Sequence, residues 1–472
     1  MDLLTQVPTA ADLQSVVDCV VAESHVPGAG IAVSMGGHQV AAYSGIAALG
    51  RNGGLSDDSR FETSCLMKLF LSLAALELSR EGVLDLEAPV SEYLQDFGAA
   101  LSSETTHKVR RISISDLLMH TSGYRGLDVS RGQIRWNYSW KAFLEHLSQS
   151  GQLFSPGSVF NYEHSEHVVL GEIVARTCGE PARAIVRDML FRPLGIKPSR
   201  ANVDNERQGV YVGQHTYAPN LGRFVPVSLP AFGTFWDSSL PDETITLREM
   251  LSVGEAIIDG TRANESKSIF GQETVRALQR PGISLPPQVT SGPRCERIPV
   301  SFGMGVSHYE GGVLGHNGST SGQTCGLRID LERGIAIAVG VNAWAPYARD
   351  SAIGRTFALV SGNERASREV THNLKEWKVS RQHLLNGFST GDVIGRYLGS
   401  YWGEVQLTCR EDSIHCELGR GGAKRPGISI VPDGAEDYRI ESDMPVMCCI
   451  FKDPDTGGPA LMMGVHAYKK EQ

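Results

Sequence analysis

Residues 61–68 read FETSCLMK and stand at the start of the most apolar run of the chain. The spacing of the apolar side chains predicts a helix over residues 65–80, which Gly82 closes at a position suited to a left-handed cap. Cys65 and Lys68 lie three residues apart in this helix, so they share one face. The stretch therefore predicts a thiol and an amine side by side at the beginning of a buried helix.

The position of Cys65 is compatible with a nucleophilic role. Thr63 or Ser64 is a good N-cap residue, which places Cys65 in the first turn. The helix N-terminus and the Lys68 ammonium both favour a thiolate, which is the nucleophilic form of cysteine. Alternatively, burial leaves Lys68 neutral, and the amine takes the thiol proton itself. Taken alone, the pair is also what an ordinary core cysteine and a solvated lysine would give.

Five further stretches follow in a recognisable order. They are residues 82–90 (GVLDLEAPV), 112–123 (ISISDLLMHTSG), 156–164 (PGSVFNYEH), 193–196 (PLGI) and 315–318 (GHNG). With residues 61–68 they resemble the ordered motifs of the serine β-lactamase-like superfamily, whose first motif is Ser-x-x-Lys. That superfamily includes penicillin-binding proteins, class C β-lactamases, related esterases, D-aminopeptidases and acyltransferases. The resemblance covers about residues 10–360, with Cys65 in the place of the family's nucleophilic serine.

The resemblance implies an α+β fold. The family's catalytic domain is a β-lactamase/transpeptidase-like antiparallel sheet with flanking helices and a helical subdomain. The residues agree with it: Thr9 to Asp12 form a capping-box pattern before a first helix, and Gly36-Gly37 is a hairpin turn signal. Later strand candidates suggest one sheet built from both ends of the domain; they lie at residues 302–306, 325–330 and 335–341.

The last part of the chain has a different pattern of polar and apolar residues. A polar, charged segment predicts a linker helix, and short alternating segments after it predict a small antiparallel barrel. This part resembles the lipocalin-like barrel appended to some family members. We therefore expect a catalytic domain over residues 1–365, a linker helix over 366–390 and a small β-barrel over 391–472.

Carried over onto this chain, the family's motifs imply a catalytic site around Cys65. Cys65 attacks a carbonyl group, and Lys68 and Tyr162 manage its proton. The backbone N–H groups of Cys65 and Ser319 stabilise the oxyanion. Ser64 stands four residues before Lys68 and stays open as an alternative nucleophile, although a residue at the helix cap points differently from one in the first turn.

Three further residues are expected to shape the substrate site. His316 and Gly318 belong to the strand that faces the nucleophile, where glycine lets substrate approach the backbone and histidine offers a polar contact. His164 stands where most relatives have Asn or Ser. It either assists proton transfer, since histidine titrates near physiological pH, or replaces an amide hydrogen bond. His120 is expected to fasten its own loop rather than to perform chemistry.

Three functions are open on this basis. The first is transfer of an acyl group, held as a thioester on Cys65, to an amine or alcohol, which suits natural-product metabolism such as antibiotic biosynthesis. The second is hydrolysis of an ester or amide, as in an esterase, amidase or β-lactamase. The third is a non-catalytic family member, against which the retained Lys68 and Tyr162 argue.

The composition excludes other classes of function. The chain has 472 residues, with 41% hydrophobic and 21% charged, as in ordinary globular proteins. A net charge of −9 argues against a nucleic-acid partner. No stretch reaches the roughly 18–20 apolar residues of a membrane span, and the start lacks a secretory signal. We therefore expect a cytoplasmic protein with nine reduced cysteines. Its expected partners are a small-molecule acyl donor and acceptor, without a cofactor, metal ion or membrane partner; the oligomeric state is left open.

Overall fold

A computed structural model describes most of the chain. The described residues are 7–101, 112–125, 139–200, 211–218, 221–227, 243–261, 268–285, 299–320, 322–362, 377–380, 388–398, 404–410, 413–418, 428–432, 437–441, 448–452, 454–463 and 466–470. They form an eight-stranded and a nine-stranded sheet together with two smaller sheets. In this part of the chain, no helix combines the length and apolarity that crossing a bilayer requires.

The first domain is built on the eight-stranded sheet. The strands of this domain, in chain order, are β1 (Gly28–Met35), β2 (His38–Gly45), β3 (Phe61–Glu62), β4 (Ser199–Arg200), β5 (His215–Ala218), β6 (Arg223–Pro226), β7 (Glu243–Ile245), β8 (Ile283–Ser284), β9 (Pro299–Phe302), β10 (Ser307–Tyr309), β11 (Val313–Ser319), β12 (Thr324–Asp330) and β13 (Ile335–Val341). The large sheet is antiparallel, in the order β2-β1-β13-β12-β11-β10-β9-β8. The pairing of β1 with β13 confirms that both ends of the domain contribute to one sheet.

Helices cover both faces of this sheet. They are α1 (Ala10–Ser24), α2 (Leu66–Arg80), α3 (Val90–Tyr93), α4 (Gln95–Leu101), α5 (Ile114–Leu118), α6 (Trp140–Ser150), α7 (His164–Cys178), α8 (Ala182–Val186), α9 (Leu247–Asp259), α10 (Gln272–Gln279) and α11 (Pro346–Val360). A π-helical turn at Arg187–Phe191 continues α8. The helices α3 to α8 lie between β3 and β4 in the chain, as the expected helical subdomain.

The strand β13 shows why the sheet is buried on both faces. Ala336 and Ala338 belong to the apolar cluster that contains α2 and α9. Ile337 and Val339 belong to a second cluster, formed with α1 and α11. Because side chains alternate between the faces of a strand, an uninterrupted apolar segment serves both layers.

Two local predictions at the start of the domain are confirmed. Thr9 caps α1, and its side chain and that of Asp12 form the reciprocal capping box. Gly36 and Gly37 have φ angles of 58° and 83°, the left-handed conformation that a two-residue hairpin turn requires. The turn joins β1 to β2, with Met35 opposite His38.

The predicted strand over residues 302–306 is wrong over most of its length. The strand β9 ends at Phe302, and the next strand begins at Ser307. Between them Gly305 has a φ of 77°, and a Cβ atom added there would lie 2.0 Å from Ser72 Oγ of α2. The segment therefore turns away from the sheet and packs closely against the helix that follows Cys65.

The described residues of the C-terminal part of the chain form a nine-stranded antiparallel sheet and a short helix. The elements are β14 (Trp377–Ser380), α12 (Thr390–Val393), β15 (Gly395–Leu398), β16 (Glu404–Arg410), β17 (Ser413–Leu418), β18 (Ile428–Pro432), β19 (Asp437–Glu441), β20 (Cys448–Lys452), β21 (Pro459–Met463) and β22 (His466–Lys470). The strand order is β14-β19-β18-β17-β16-β15-β22-β21-β20. Val405 and Leu407 are buried, as the predicted alternation requires, but Cys409, the third residue predicted on that face, is exposed. Closure of this sheet into a lipocalin-like barrel stays a prediction.

The predicted linker helix over residues 366–390 needs a correction. Residues 377–380 form β14, which pairs with β19 at the edge of the C-terminal sheet. The sequence Trp-Lys-Val-Ser alternates aromatic or β-branched residues with polar ones, a pattern that fits a strand better than a helix. The rest of the predicted linker up to residue 387, and the predicted boundary at residue 365, lie outside the described residues.

Candidate active site

Cys65 lies at the junction between β3 and α2. It occupies the N-cap position itself, one place earlier than predicted, and its side chain makes no capping hydrogen bond. The turn before the helix is tight: Met67 N–H donates to Ser64 O at 3.0 Å, and Lys68 N–H donates to Cys65 O at 3.0 Å. Ser64 has a φ of 45°, which is uncommon for a residue other than glycine. The cysteine is half-buried, so its sulfur is not sealed in the core.

Lys68 lies one turn into α2 and is buried, with 3% of its surface exposed. Its amine is near enough to the Cys65 side chain for the two to interact electrostatically, and it lies 3.8 Å from the centre of the Tyr162 ring. His164 Nδ1 is 3.1 Å from Lys68 Nζ. Burial lowers the pKa of Lys68 from its ordinary value, and the nearby thiol and buried carboxyl groups only partly oppose that shift. The site therefore favours the neutral amine, the form that accepts a proton.

Tyr162 is the second side chain, after Lys68, that lies near the Cys65 sulfur. Its hydroxyl interacts with the nearby Cys65 side chain, and burial, the largest cause, raises the pKa of Tyr162 well above the ordinary value. The phenol therefore keeps its proton and acts as a donor. The ring packs against His120 at a centroid distance of 4.3 Å, and Asn161 N–H donates to His120 O at 2.8 Å. These contacts hold the loop that carries the phenol against the nucleophile turn.

The end of β11 lies against the same turn. Ser64 Oγ donates to Ser319 O at 2.7 Å. A Cβ atom added at Gly318 would lie 2.3 Å from Thr63 O and 2.6 Å from Cys325 Sγ, so only glycine fits between β11 and the turn. The nucleophile turn and the strand edge are therefore in direct contact.

His316 contributes a neutral imidazole from β11. Its Nδ1 donates to Asn317 O at 2.7 Å, which leaves Nε2 as the acceptor nitrogen. Burial, with the Lys68 charge as a smaller cause, lowers the pKa of His316 to about 3. The ring lies 6.3 Å from the Tyr162 ring, centre to centre. His316 is thus a buried imidazole that can accept a hydrogen bond near Tyr162.

Comparison with known proteins shows the family of this chain. Residues 13–359 match the family model described as Beta-lactamase. The chain belongs to the β-lactamase family. Penicillin-binding protein 4 of Amycolatopsis lactamdurans is 27% identical over 69% of this chain and 83% of its own length.

Two solved structures show the likeness of fold. The crystal structure of SurE superimposes with a TM-score of 0.70 at 19% identity, over 98% of this chain and 99% of that one. EstCE1, described as a hydrolase with promiscuous acyltransferase activity, gives a TM-score of 0.58 at 20% identity, over 76% of this chain and 98% of that one. Both superpositions show that this chain shares the fold of these proteins.

The structure brings all the sequence-predicted residues of this β-lactamase-family site to one place. Lys68 and Tyr162 both lie within electrostatic range of Cys65. His164 contacts Lys68. The remaining three stand on β11 beside the turn: His316, Gly318 and Ser319. Within the described residues, no group of three or more His, Cys, Asp or Glu is arranged to hold a metal ion.

Sequence reasoning missed the buried polar network under Tyr162. Glu166 accepts hydrogen bonds from Ser122 N–H at 3.1 Å and Ser122 Oγ at 2.5 Å, and its other carboxyl oxygen contacts His120 Nδ1. His120 Nδ1 also accepts Glu163 N–H at 3.2 Å. Since this nitrogen is an acceptor, the proton of the Glu166–His120 contact belongs to the carboxyl group.

The electrostatics of this network agree with a neutral pair. Burial raises the pKa of Glu166 well above 4.5 and lowers that of His120 well below 6.5. His120 therefore fastens its loop through Glu166 rather than through its own neighbours alone. The signal in the sequence was the pair Glu166-His167 on α7. These two ionisable residues follow Tyr162 by about one helical turn.

Proposed function

We propose that this protein is an acyl-transfer enzyme that carries its acyl group as a thioester on Cys65. One observation carries the proposal: the half-buried Cys65 thiol lies within interaction range of both the buried Lys68 amine and the Tyr162 hydroxyl. A structural core cysteine needs neither partner. A nucleophile needs a base that takes its proton and a donor that serves the leaving group.

The first step follows from these contacts. The Lys68 amine takes the thiol proton, and the sulfur forms a bond to the carbonyl carbon of the donor. The oxyanion that develops is stabilised by the backbone N–H groups of Cys65 and Ser319. The bond to the leaving group then breaks, and the leaving group takes the proton that Lys68 had accepted, while the Tyr162 hydroxyl donates a hydrogen bond to it. Lys68 is neutral again when the thioester has formed.

The second step repeats this chemistry with the acceptor. An amine or alcohol attacks the thioester carbon, its proton goes to Lys68, and the carbon–sulfur bond breaks. The sulfur recovers the proton, which restores the resting enzyme. Transfer is favoured over lactam hydrolysis because a thioester reacts readily with amines. The similarity to EstCE1, described as a hydrolase with promiscuous acyltransferase activity, is consistent with such a dual outcome.

Hydrolysis is the second candidate. The half-buried Cys65 and the exposed His164 leave the acyl group within reach of water. Product analysis with and without an amine acceptor separates the two functions. Acyl transfer predicts that the amine diverts the acyl group into an amide, whereas release of free acid at an unchanged rate with every acceptor supports the hydrolase.

Intact-mass spectrometry after incubation with activated acyl esters tests the nucleophile. We expect an acyl adduct on the wild type and on Ser64→Ala, and none on Cys65→Ala. Loss of the adduct in Ser64→Ala with retention in Cys65→Ala would assign the nucleophile to Ser64. A wild-type protein that takes up no acyl group from any donor would support a non-catalytic family member.

We also propose that the C-terminal strands close into a lipocalin-like barrel that borders the catalytic domain. A direct contact supports this placement: Ser155 N–H donates to Asp455 Oδ2 at 3.0 Å. Ser155 precedes the loop that leads to Tyr162, and Asp455 lies between β20 and β21. Limited proteolysis at the junction of the two domains, followed by the acylation assay, tests whether the second domain supports the site.

A further inference from the structure

Lys68 has few routes by which a proton can leave it. The side chain is buried, and its Nζ is surrounded by the Cys65 sulfur, the face of the Tyr162 ring and His164 Nδ1. The sulfur is the reacting atom, and Tyr162 retains its own proton because burial raises its pKa. A proton that must reach bulk water therefore needs another route.

His164 provides that route by its position. It is the first residue of α7 and is exposed, while its Nδ1 lies 3.1 Å from the buried Lys68 Nζ. One imidazole thus contacts the enclosed amine through one nitrogen and belongs to the solvent-facing surface. An imidazole can accept a proton on one ring nitrogen while it releases one from the other.

The chemistry of an amine acceptor requires a route by which a proton leaves the site. An alkyl amine near neutral pH is present mainly as an ammonium ion, because its pKa is close to that of lysine, about 10.4. To become an amide it must lose two protons. One of them restores the Cys65 thiol, and the other has to leave the site. Water as the acceptor has no such surplus proton at the moment of attack.

We propose that His164 relays the surplus proton of an amine acceptor from Lys68 to solvent, and so favours transfer to amines over hydrolysis. The inference rests on the proposed acyl transfer. In the relay step the Lys68 ammonium gives a proton to Nδ1 of neutral His164, and the Nε2 proton passes to water. Lys68 returns to the neutral amine, and the ring is left as the other neutral tautomer. His164 acts through Lys68 and does not touch the reacting atoms.

Several other ionisable groups surround the Lys68–His164 pair. The groups near His164 and Lys68 are Tyr162, His120, His167, His316, Glu163, Glu166 and Cys65. Burial lowers the pKa values of His120 and His167 well below 6.5, so both rings stay neutral near pH 7. Burial also raises the pKa of Glu166, which keeps that carboxyl group protonated over a wider range.

Two substitutions of His164 test the relay. His164→Asn keeps a polar group that can hydrogen-bond Lys68 but cannot carry a proton, and His164→Ala opens the position to added imidazole. The donor is p-nitrophenyl butyrate, whose p-nitrophenolate burst reports acylation, and the acceptor is ethylamine. Mass spectrometry of butyramide and butyrate products gives the partition between amine and water. Cys65→Ala supplies the uncatalysed background.

The relay predicts an unequal loss. At neutral pH, amide formation falls by about 10²-fold in both variants, the range of a lost acid–base group, and it falls more than the burst rate or hydrolysis does. The rate of amide formation by His164→Asn then rises with pH in parallel with the concentration of free ethylamine base. Added imidazole restores amide formation by His164→Ala. Thermal unfolding of both variants checks that they are folded.

Two results would overturn the relay, and a third concerns the nucleophile. Amide formation by His164→Asn at the wild-type rate shows that the hydrogen bond alone is sufficient. An equal loss of amide formation and hydrolysis, with no rescue of His164→Ala by imidazole, shows a purely structural role. Absence of any burst or adduct on wild-type Cys65 overturns the proposed function, and the relay with it.

Discussion

Ser64 Oγ donates a hydrogen bond to Ser319 O at 2.7 Å, and this bond joins the nucleophile turn to the end of β11. The two residues are 255 positions apart in the chain. The bond also occupies the Ser64 hydroxyl, which argues for a positioning role rather than a nucleophilic one. Because the proposed oxyanion donors are the N–H groups of Cys65 and Ser319, the bond fixes the distance between the two backbones that have to share one oxygen atom.

The substitution Ser64→Gly separates this positioning role from stability. Ser64 has a φ of 45°, which costs a non-glycine residue about 1–2 kcal/mol, so glycine relieves strain while it removes a hydrogen bond of about 1 kcal/mol. We expect a free energy of unfolding within about 1 kcal/mol of the wild type. The rate of Cys65 acylation falls by about tenfold, which corresponds to roughly 1.4 kcal/mol of activation free energy. Urea denaturation and single-turnover acylation measure the two quantities.

Ser64→Ala is the matched control. It loses the same hydrogen bond but keeps a Cβ atom in the left-handed region, so it is destabilised by about 1 kcal/mol as well as slowed. Wild-type acylation rates in both variants would show that the Ser64–Ser319 bond does not position the oxyanion donors.

Lys68→Met separates function from stability in the opposite way. Methionine fills similar space without a buried charge, and we expect acylation to fall by about 10²–10⁴-fold, the range for loss of a general base. Stability is expected to be equal to the wild type or higher. Because burial lowers the folded-state pKa of Lys68 below its ordinary 10.5, the unfolded chain binds the extra proton. Wild-type stability therefore rises with pH through the window between the folded-state pKa and 10.5.

The measurement is the difference in unfolding free energy between Lys68→Met and the wild type across that pH window. We expect the advantage of the variant to shrink as pH rises toward 10.5. A difference that does not change with pH would mean that Lys68 is not destabilised in its charged form by burial.

Local signals predicted the parts of the fold that depend on neighbours in sequence. The capping box of Thr9 and the hairpin turn at Gly36 involve contacts within three residues, and both are confirmed. The ordered motifs likewise predicted the family and the approach of Cys65, Lys68 and Tyr162. What the sequence did not show is decided by contacts between distant segments.

Two residues illustrate that limit. The segment after Phe302 has the apolar content of a strand, but Gly305 turns away because it packs against Ser72, more than 200 residues earlier. Glu166 has the spacing of an exposed helix residue, yet it is buried because Ser122 and His120 provide its hydrogen bonds. In both cases the deciding partner comes from another element, which periodicity along one segment does not reveal.

Glu166→Gln tests the neutral state of the buried network. The amide keeps an acceptor for Ser122 and supplies a permanent donor to His120 Nδ1, so we expect the fold and acylation to be retained. Burial raises the folded-state pKa of Glu166 above 4.5, so wild-type stability falls as pH rises from 4.5, where the unfolded carboxyl group ionises, toward the folded-state pKa. The variant lacks this loss, so its relative stability increases over that window in urea denaturation.

Glu166→Ala is the contrasting variant. It leaves Ser122 and His120 without their buried partner, and we expect it to be destabilised by about 2–4 kcal/mol. If Glu166→Gln were destabilised as much as Glu166→Ala at neutral pH, the carboxyl group would have to be ionised in the folded protein, contrary to the neutral pair inferred from the hydrogen bonds.

Gly318→Ala tests the close approach of β11 to the nucleophile turn. A Cβ atom there would lie 2.3 Å from Thr63 O and 2.6 Å from Cys325 Sγ, far inside van der Waals contact. We expect a destabilisation of about 1–3 kcal/mol, the range for overpacking, and a loss of acylation, because the strand end has to move away from the turn.

Adding Cys325→Ala relieves only the sulfur contact, so the double variant stays impaired by the Thr63 carbonyl. Gly391→Ala is the control, since its added Cβ would meet Ser389 Oγ at an ordinary contact distance of 3.7 Å; it should react like the wild type and be no less stable. Retention of both stability and acylation by Gly318→Ala would show that β11 and the turn do not need to be this close for the site to work.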